Sequence, residues 1–472
     1  MTYSIVRGRA RVLFGLLLTT GTFHSASAGR QAPVATSYAI VDTTVINPRR
    51  STLMPHSTVV ISKGVIRAVQ RASAPVPAGV RQIDGRGRFL IPGLWDAHTH
   101  LSKTGRQSLA LFIANGVTGV RDMGGNLPEL RSWKRQIAEG KLVGPTMMIS
   151  GPMIEARSNL ERMAQEPGVE AFERQRVGVA DPEEGRAAVR RLARAGVDQI
   201  KMRTAPDLAT FTAIAREADA HRMPFAAHPF GRTEDMLATG VDSLEHLLER
   251  APTRRSERER MALFQHLAAE NIHVSNTLVN IPSLLTPYDR GKAILASADG
   301  DPHRKYICGY LLRDWAEQVE ENRDSPFRQL LPALADYTRE LKDLQRAGVP
   351  LLAGSDAGVM FVYPGFSMHD ELDLMVRDAG FTPMEVLRIA TAGVPAYFRR
   401  QASAGGIEQG QVADVVLLDA DPSANIRNLR RIRGVMAQGR WFDRAALNRL
   451  LAEVERDGRN SCKGGSRAGA SR

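Results

Sequence analysis

The sequence predicts an α/β protein: a TIM barrel of eight βα units, joined to a small β-sandwich formed by N- and C-terminal segments. Between residues 89 and 356, eight apolar segments with strand character alternate with amphipathic helical stretches. This alternation is typical of parallel βαβ units, and eight such units can close into a barrel. Residues 35–90 and 407–442 instead have β character throughout. A chain of 472 residues is long enough for both parts.

The flanking segments contain short strands joined by tight turns. Ser62-Lys-Gly64 separates two apolar runs near the N-terminus, and Gln438-Gly439 separates two more near the C-terminus. Such pairs favour β-hairpins. We therefore predict a composite sandwich from residues 29–88 and 402–445, followed by a C-terminal helix and a basic flexible tail over residues 446–472.

The barrel is predicted to span residues 89–401. Several of its strands follow a helix that ends in glycine, as at Gly116, Gly196, Gly240 and Gly348, and glycine takes the left-handed conformation at helix ends at little cost. A polar, helix-rich insertion is predicted around residues 250–340, and it is interpreted either as a lid or as a solvated decoration. The predicted strands are residues 89–100, 116–122, 146–151, 198–203, 225–228, 243–246, 273–278 and 351–356.

Residues 1–28 are predicted to be an export signal. Arg7, Arg9 and Arg11 precede a short apolar core, and Ala26-Ser-Ala28 fits a cleavage site. The apolar core is too short to span a bilayer. The sequence therefore predicts a periplasmic or secreted protein without stable membrane insertion.

The net charge of +12 is concentrated at the two ends of the chain. The first 28 residues and the tail after Gly458 are basic and carry no acidic residue, and no dense basic patch with interleaved aromatic residues occurs elsewhere. We therefore expect no nucleic-acid partner. The expected partner is a small-molecule or peptide substrate, and assembly into a homo-oligomer is left open. Cys308 and Cys462 could form one disulfide or remain two free thiols.

Six potential metal ligands lie at the ends of predicted barrel strands. His98 and His100 end the first strand, and residues two apart on a strand point to the same face. The carboxyl ends of barrel strands form the active-site face, and imidazoles and carboxylates bind zinc and related metals. The remaining four candidates are Lys201, His228, His246 and Asp356.

Lys201 differs from the other five candidates because lysine is an unusual metal ligand. Burial in a dry barrel disfavours the charged form of an inward-facing lysine. A neutral amine can add carbon dioxide and become a carbamate, an anionic group with two oxygens that can bridge two metals. The alternative is that Lys201 extends outward to solvent.

These motifs resemble the amidohydrolase superfamily of metal-dependent hydrolases. Ile91-Pro-Gly-Leu-Trp-Asp-Ala-His-Thr-His100 resembles its strand-one signature, and Gly410-Gln-Val-Ala-Asp-Val-Val-Leu-Leu-Asp419 resembles its C-terminal signature. Gln199-Ile-Lys201 and Ser243-Leu-Glu-His246 are similar to the prolidase-like branch, where imidazolonepropionase-like proteins also cluster. The resemblance covers roughly residues 35–445.

The resemblance implies two metals, most simply zinc, bridged by carboxylated Lys201. Two divalent ions would lower the pKa of a shared water, and Asp356 would act as general base and then as general acid. The implied ligands are His98, His100 and Asp356 for one metal, and His228 and His246 for the other.

The segment after the fifth strand is the predicted place of substrate recognition. Arg232 could bind a substrate carboxylate with two hydrogen bonds, whereas Phe230 stands where many relatives carry Tyr or His and has no hydroxyl. His369 is expected either to support the site from outside the ligand set or simply to lie at a helix start, rather than to bind metal. We therefore predict an exported binuclear amidohydrolase acting on a dipeptide or N-acyl amino acid. The alternatives are hydrolysis of an imidazolone-type cyclic amide, ester, lactone or organophosphate, a mononuclear site, and a catalytically silent scaffold.

Overall fold

The computed structural model describes residues 37–164, 175–246, 255–297, 299–307, 309–321, 323 and 334–464. The predicted export signal, Cys308 and part of the predicted helical insertion lie outside these residues. Within the described ranges, every helix is either too short or too polar to cross a membrane.

One eight-stranded sheet combines both ends of the chain. Its strands are β1 (Tyr38–Asn47), β2 (Thr52–Ser62), β3 (Val65–Arg71), β4 (Arg81–Asp84), β5 (Phe89–Pro92), β16 (Val415–Leu418), β17 (Ile432–Ala437) and β18 (Arg440–Asp443). The order is β18-β17-β16-β5-β1-β2-β3, and β4 also pairs with β1. N- and C-terminal segments meet where β5 pairs antiparallel with β16 and parallel with β1. Alternate residues of these strands form a separate hydrophobic cluster that includes Ile40, Val59, Leu90 and Val415.

Both predicted hairpin turns are present. Lys63 and Gly64 have φ of 54° and 71° between β2 and β3, and Gln438 and Gly439 have φ of 51° and 71° between β17 and β18. Two successive left-handed residues match the right-handed twist of the flanking strands. The two turns also approach each other, since a Cβ on Gly64 would lie 3.3 Å from the Gly439 Cα.

The remaining strands form two parallel sheets. The first has the order β6-β7-β8 and the second β10-β9-β11-β12-β13-β14-β15. Each of the eight predicted segments contains one of these strands, whereas β9 and β10 were not predicted. The bounds are β6 Leu94–Thr99, β7 Val117–Asp122, β8 Thr146–Ile149, β9 Met153–Ala156, β10 Arg176–Val179, β11 Ile200–Met202, β12 Phe225–Ala227, β13 Ser243–Glu245, β14 His273–Asn276 and β15 Leu351–Ala353.

The prediction of one continuous strand over residues 89–100 is wrong. The segment breaks at Gly93 into β5 of the terminal sheet and β6 of the parallel sheet. At the break, the Gly93 amide donates to the Asp414 carbonyl at 2.8 Å. A Cβ on Gly93 would lie 2.0 Å from the Thr118 Oγ1, so the chain can pass from one sheet to the other there only without a side chain.

Helices connect the parallel strands, and the four predicted glycine positions end them or follow them closely. Gly116, Gly196, Gly240 and Gly348 all have positive φ, as expected for helix ends. Helices on both sides of the last three parallel strands contribute buried residues to one shared hydrophobic core. Up to β14 the helices are Leu101–Thr104, Leu109–Ala114, Leu127–Ala138, Arg157–Met163, Pro182–Arg194, Leu208–Ala220, Thr233–Leu237 and Glu257–Ala269. After β14 they are Asn280–Leu284, Tyr288–Ala296, Gly309–Glu321, Leu334–Arg346, Phe366–Arg377, Pro383–Tyr397 and Arg444–Gly464.

The predicted insertion around residues 250–340 contains β14 and several of these helices. Its described helices between β14 and β15 pack on the segment that follows β15, through a hydrophobic cluster that includes Trp315 and Phe361. A buried ion pair of 2.9 Å between Lys103 and Asp314 joins the same region to the helix after β6. The insertion therefore contacts two of the segments that carry predicted ligands.

Candidate metal centre

The six predicted ligands lie at the carboxyl ends of five parallel strands. His98 is in β6 and His100 follows it, Lys201 is the central residue of β11, and His228, His246 and Asp356 follow β12, β13 and β15. His246 and Asp356 have φ of 67° and 61°. Left-handed backbone is unfavourable for residues other than glycine, and such strain often occurs at functional sites.

Four imidazoles and one carboxylate converge there. The Nε2 atoms of His100 and His98 lie 3.1 Å and 3.7 Å from the Asp356 Oδ1. The His246 Nε2 lies 4.0 Å from the Asp356 Oδ2 and 3.0 Å from the His228 Nε2. The structure therefore brings the four predicted histidines together with Asp356.

This geometry fits a divalent metal. Ligands about 2.1 Å from a tetrahedrally coordinated zinc lie about 3.4 Å from one another, and the separations between the Asp356 Oδ1 and the two Nε2 atoms bracket this value. Ligand atoms of His98, His246 and Asp356 all lie within 4.8 Å of one another. Imidazole nitrogen and carboxylate oxygen suit zinc and related transition metals.

Hydrogen bonds from the far side of two rings orient them toward the centre. The His98 Nδ1 lies 2.9 Å from the Glu245 Oε2, and the His246 Nδ1 lies 2.8 Å from the Thr277 Oγ1. Each leaves its Nε2 free to face the centre, as in most protein metal sites. Burial lowers the pKa of His246 to about 3, with the neighbouring His98 acting in the same direction. The ring is therefore neutral at neutral pH, the form that binds metal.

Glu245 belongs to a buried ion pair that the sequence did not reveal. The Arg121 Nη2 donates to both Glu245 carboxylate oxygens, at 2.9 Å and 2.8 Å, and both side chains are fully buried. Ser243 donates to the Glu245 Oε1 at 2.7 Å, and the Arg121 Nε donates to the Ala97 carbonyl at 2.6 Å. Burial opposes ionisation of Glu245, but Arg121 and Lys201 outweigh it and hold its pKa well below the usual value.

Replacing Arg121 by methionine should lower the free energy of unfolding of the metal-free protein by about 3–5 kcal/mol, because it leaves the Glu245 charge buried without its partner. Chemical denaturation measures this change. The double variant Arg121→Met/Glu245→Leu should recover part of the loss, and Arg339→Met, at an exposed ion pair with Asp336, should stay within about 0.5 kcal/mol of wild type. A loss below about 1 kcal/mol in Arg121→Met would contradict the importance of the pair.

Lys201 is fully buried. Its Nζ has no hydrogen-bond partner among the described residues. Burial lowers the pKa of Lys201 to about 7, against the opposing attraction of Glu245. An unpartnered buried amine is costly.

Asp356 is held by Asn280, a residue that sequence reasoning missed. The Asn280 Nδ2 donates to the Asp356 Oδ2 at 2.8 Å. Burial opposes ionisation of Asp356, but the imidazoles of His98 and His100 hold its pKa well below the usual value. Glu371 fixes the segment that carries Asn280, since its Oε2 accepts a hydrogen bond from the Val279 amide at 2.7 Å.

The two predicted substrate residues lie apart from these contacts. Phe230 is partly buried and stacks on Phe211, with ring centroids 6.2 Å apart. The Arg232 side chain is 75% exposed, and its Nε lies 3.9 Å from Glu234. In the described part of the chain, no hydrogen bond or ion pair joins either residue to the six predicted ligands. Their role in substrate binding stays a prediction.

His369 is buried in the helix Phe366–Arg377, and its Nε2 lies 3.0 Å from the Asn115 carbonyl oxygen. His369 lies in the first turn of this helix, which agrees with the predicted helix-start position, and a role beside the site stays a prediction.

Parallel sheets whose strand ends gather imidazoles and a carboxylate define a metal-binding α/β enzyme. Residues 89–442 match the model of the amidohydrolase family. The chain belongs to the amidohydrolase family, and it is a hydrolase that acts on carbon–nitrogen bonds. This family is typically metal-dependent.

Individual relatives are more distant. An ochratoxinase from Aspergillus niger is 24% identical over 401 residues, which cover 73% of each chain. A solved Xaa-Pro dipeptidase with methionine bound in its active site has a TM-score of 0.64 and 18% identity, over 86% of this chain and 100% of its own. A bottromycin amidohydrolase has a TM-score of 0.70 and 21% identity, over 89% and 90%. The two solved structures share the fold with this chain.

Proposed function

We propose that this protein is an exported binuclear amidohydrolase that cleaves the amide or peptide C–N bond of a dipeptide or an N-acyl amino acid. The observation that carries the proposal is the gathering of four imidazoles, the Asp356 carboxylate and the unpartnered amine of Lys201 at one set of strand ends. The family and the dipeptidase and ochratoxinase among its relatives support amide hydrolysis.

Two zinc ions are the proposed cofactors. His98, His100 and Asp356 would hold one, and His228 and His246 would hold the other. Carboxylated Lys201 would bridge them. The burial of the Lys201 amine and its lack of a hydrogen-bond partner among the described residues support this role, because a bridging carbamate would replace an orphaned polar group with a coordinated one.

The chain's own residues supply the proton transfers. Bound divalent zinc would lower the pKa of water and stabilise negative charge on the carbonyl oxygen. Asp356 is ionised and held by Asn280, so it can accept a proton from the attacking water as the C–O bond forms. It then returns that proton to the leaving nitrogen as the C–N bond breaks. Glu245 keeps His98 in the tautomer whose Nε2 faces the centre.

The proposal also includes a closed barrel, a composite β-sandwich and a signal peptide. The Asp356 amide donates to the His98 carbonyl and the Asp198 amide to the Ile149 carbonyl, both at 2.7 Å. The first bond joins the ends of β15 and β6, which are edge strands of the two parallel sheets, and the second joins the edge strand β8 to the residues just before β11. Contacts between the sheets on both sides support one closed barrel over residues 89–401. We assign residues 29–88 and 402–445 to a composite sandwich and residues 1–28 to a signal peptide directing the protein to the periplasm or outside.

The test is a substrate and metal survey of the purified protein. Dipeptides and N-acyl amino acids are compared with an imidazolone-type cyclic amide, a lactone, an ester and an organophosphate on zinc-reconstituted protein. We expect kcat/KM of at least about 10⁴ M⁻¹s⁻¹ for an amide of the first group, and two zinc ions per chain when bicarbonate is present.

Each part of the proposal has its own contradicting result. One zinc per chain, indifferent to bicarbonate, would refute the bridged two-metal site. Preference for a lactone, an ester or an organophosphate would refute the amide assignment. The chelated protein, assayed in parallel, controls for activity that does not require metal.

A further inference from the structure

A cluster of charged side chains lies at the ends of β9 and β11, outside the proposed hydrolytic mechanism. Glu155 is in β9 and is fully buried, Arg176 begins β10, and Arg203 directly follows β11. Sequence reasoning assigned none of them a role. The two arginines differ in how closely they approach the buried Glu155 carboxylate.

Arg176 is the close partner of Glu155. Its Nη1 donates to the Glu155 Oε2 at 2.7 Å, and its side chain is 5% exposed. The Glu155 Oε1 accepts hydrogen bonds from Thr204 and from the Asn159 Nδ2, the latter at 2.7 Å. Both carboxylate oxygens therefore have donors without Arg203.

Arg203 is left with a surplus positive charge. Its Nη1 lies 3.8 Å from the Glu155 Oε2, beyond hydrogen-bond distance. The same atom donates a hydrogen bond to the Met163 sulfur at 3.8 Å, and a thioether is only a weak acceptor. The Arg203 side chain is 41% exposed. A guanidinium carries five donors in a planar fork that matches a carboxylate, and those of Arg203 have no strong acceptor among the described residues.

The backbone directs Arg203 toward the proposed centre. The Arg203 amide donates to the Ile154 carbonyl at 3.0 Å, so strand pairing continues through this residue. Residues two apart on a strand face the same side, and Lys201 stands two positions earlier. Arg203 is thus on the side of the strand that faces the metal ligands, at its solvent-accessible end.

We infer that Arg203 binds the free carboxylate of the substrate, so that the favoured substrates are amides bearing a carboxylate rather than neutral amides. The inference rests on the proposed function and assigns the residue that recognises the carboxylate shared by its substrates. It moves carboxylate recognition from Arg232, whose side chain is largely solvated, to a residue on the same strand as Lys201.

The experiment uses one N-acyl amino acid and the matching compound whose carboxylate is a carboxamide, both assayed on full-length zinc-loaded protein. Arg203→Met should raise KM for the carboxylate substrate about 10- to 100-fold, the effect of losing charge-assisted hydrogen bonds. KM for the carboxamide should stay within about twofold, since a neutral amide makes no ion pair. Arg203→Lys, which keeps the charge without the fork, should fall between the two.

Arg186→Met is the matched control. Arg186 has a similar exposure of 39% and also pairs with a glutamate, but it lies on the helix Pro182–Arg194. It should change neither KM. Equal losses on both substrates in Arg203→Met would overturn the inference and indicate a purely structural role. An unchanged KM for the carboxylate substrate would overturn it as well. The pair is chosen from the amides that wild type cleaves in the survey; if the survey finds none, the proposed function fails and the inference fails with it.

Discussion

Asparagine in place of Asp356 should lower kcat/KM at least about 10³-fold, because it removes the proposed general base and leaves an amide that cannot accept the proton. Asparagine has nearly the same size, and the Asn280 side chain can still donate to its carbonyl oxygen. Folding should therefore be preserved. Steady-state kinetics on the best substrate of the survey, with metal content measured on the same sample, checks the prediction.

Asp373→Asn provides the control for the same chemical change. Asp373 is a surface residue paired with Arg427 at 2.9 Å, on the helix Phe366–Arg377. Its replacement should leave kcat/KM unchanged. Activity within tenfold of wild type in Asp356→Asn would rule out the carboxylate as the main proton acceptor.

The gathering of the candidate ligands could be predicted from the sequence because parallel strands impose a simple geometry. His98 and His100 stand two positions apart, and every parallel strand presents its carboxyl end at the same edge. A histidine or aspartate that ends an apolar run is therefore brought to the others whatever the length of the connection. Asp356 lies 258 positions after His98, yet their backbones are hydrogen-bonded.

The residues that support the candidate ligands could not be predicted from the sequence, for a different reason. Arg121 and Glu245 are 124 positions apart and lie within strands, where a charged residue usually indicates a solvated face. Only the pairing of the two charges permits their burial, and the partner cannot be chosen from one sequence. Asn280 follows β14, a strand with no predicted site residue, so nothing in the local pattern distinguished it.

The predicted strand boundaries were wrong where tertiary contacts override the local sequence pattern. Residues 89–95 are apolar without interruption, yet Gly93 passes so close to Thr118 that the chain changes sheet. β9 and β10 are only four residues long each, too short for a reliable alternation pattern. Glu155 lies in β9 and Arg176 begins β10, so the cluster around Glu155 was missed together with these two strands.

Replacing Lys201 by methionine should lower activity at least about 10³-fold and reduce zinc from two per chain to one, because the proposed bridge is lost. Metal analysis and kinetics on the same preparation measure both effects. The metal-free variant should nevertheless unfold at no lower temperature than wild type. Methionine has a similar length, and it removes a buried amine that has no hydrogen-bond partner among the described residues.

The pH dependence separates this explanation from simple damage to the core. Burial lowers the pKa of Lys201 to about 7 in the folded, metal-free protein, while the unfolded chain keeps the ordinary value of about 10.4. Between these values the unfolded state binds more protons, so the stability of wild type rises with pH. The advantage of Lys201→Met in unfolding free energy should therefore shrink as pH rises from about 7 to 10.

Lys292→Met is the control, since Lys292 is half exposed and pairs with Glu320 on the surface. It should change neither zinc content nor activity. Two zinc ions and full activity in Lys201→Met would contradict the bridging role directly. Burying the charged lysine destabilises folded wild type, so removing the lysine should not lower the unfolding temperature for that reason. Lost activity together with a lower unfolding temperature at every pH would instead show that Lys201 stabilises the core by packing.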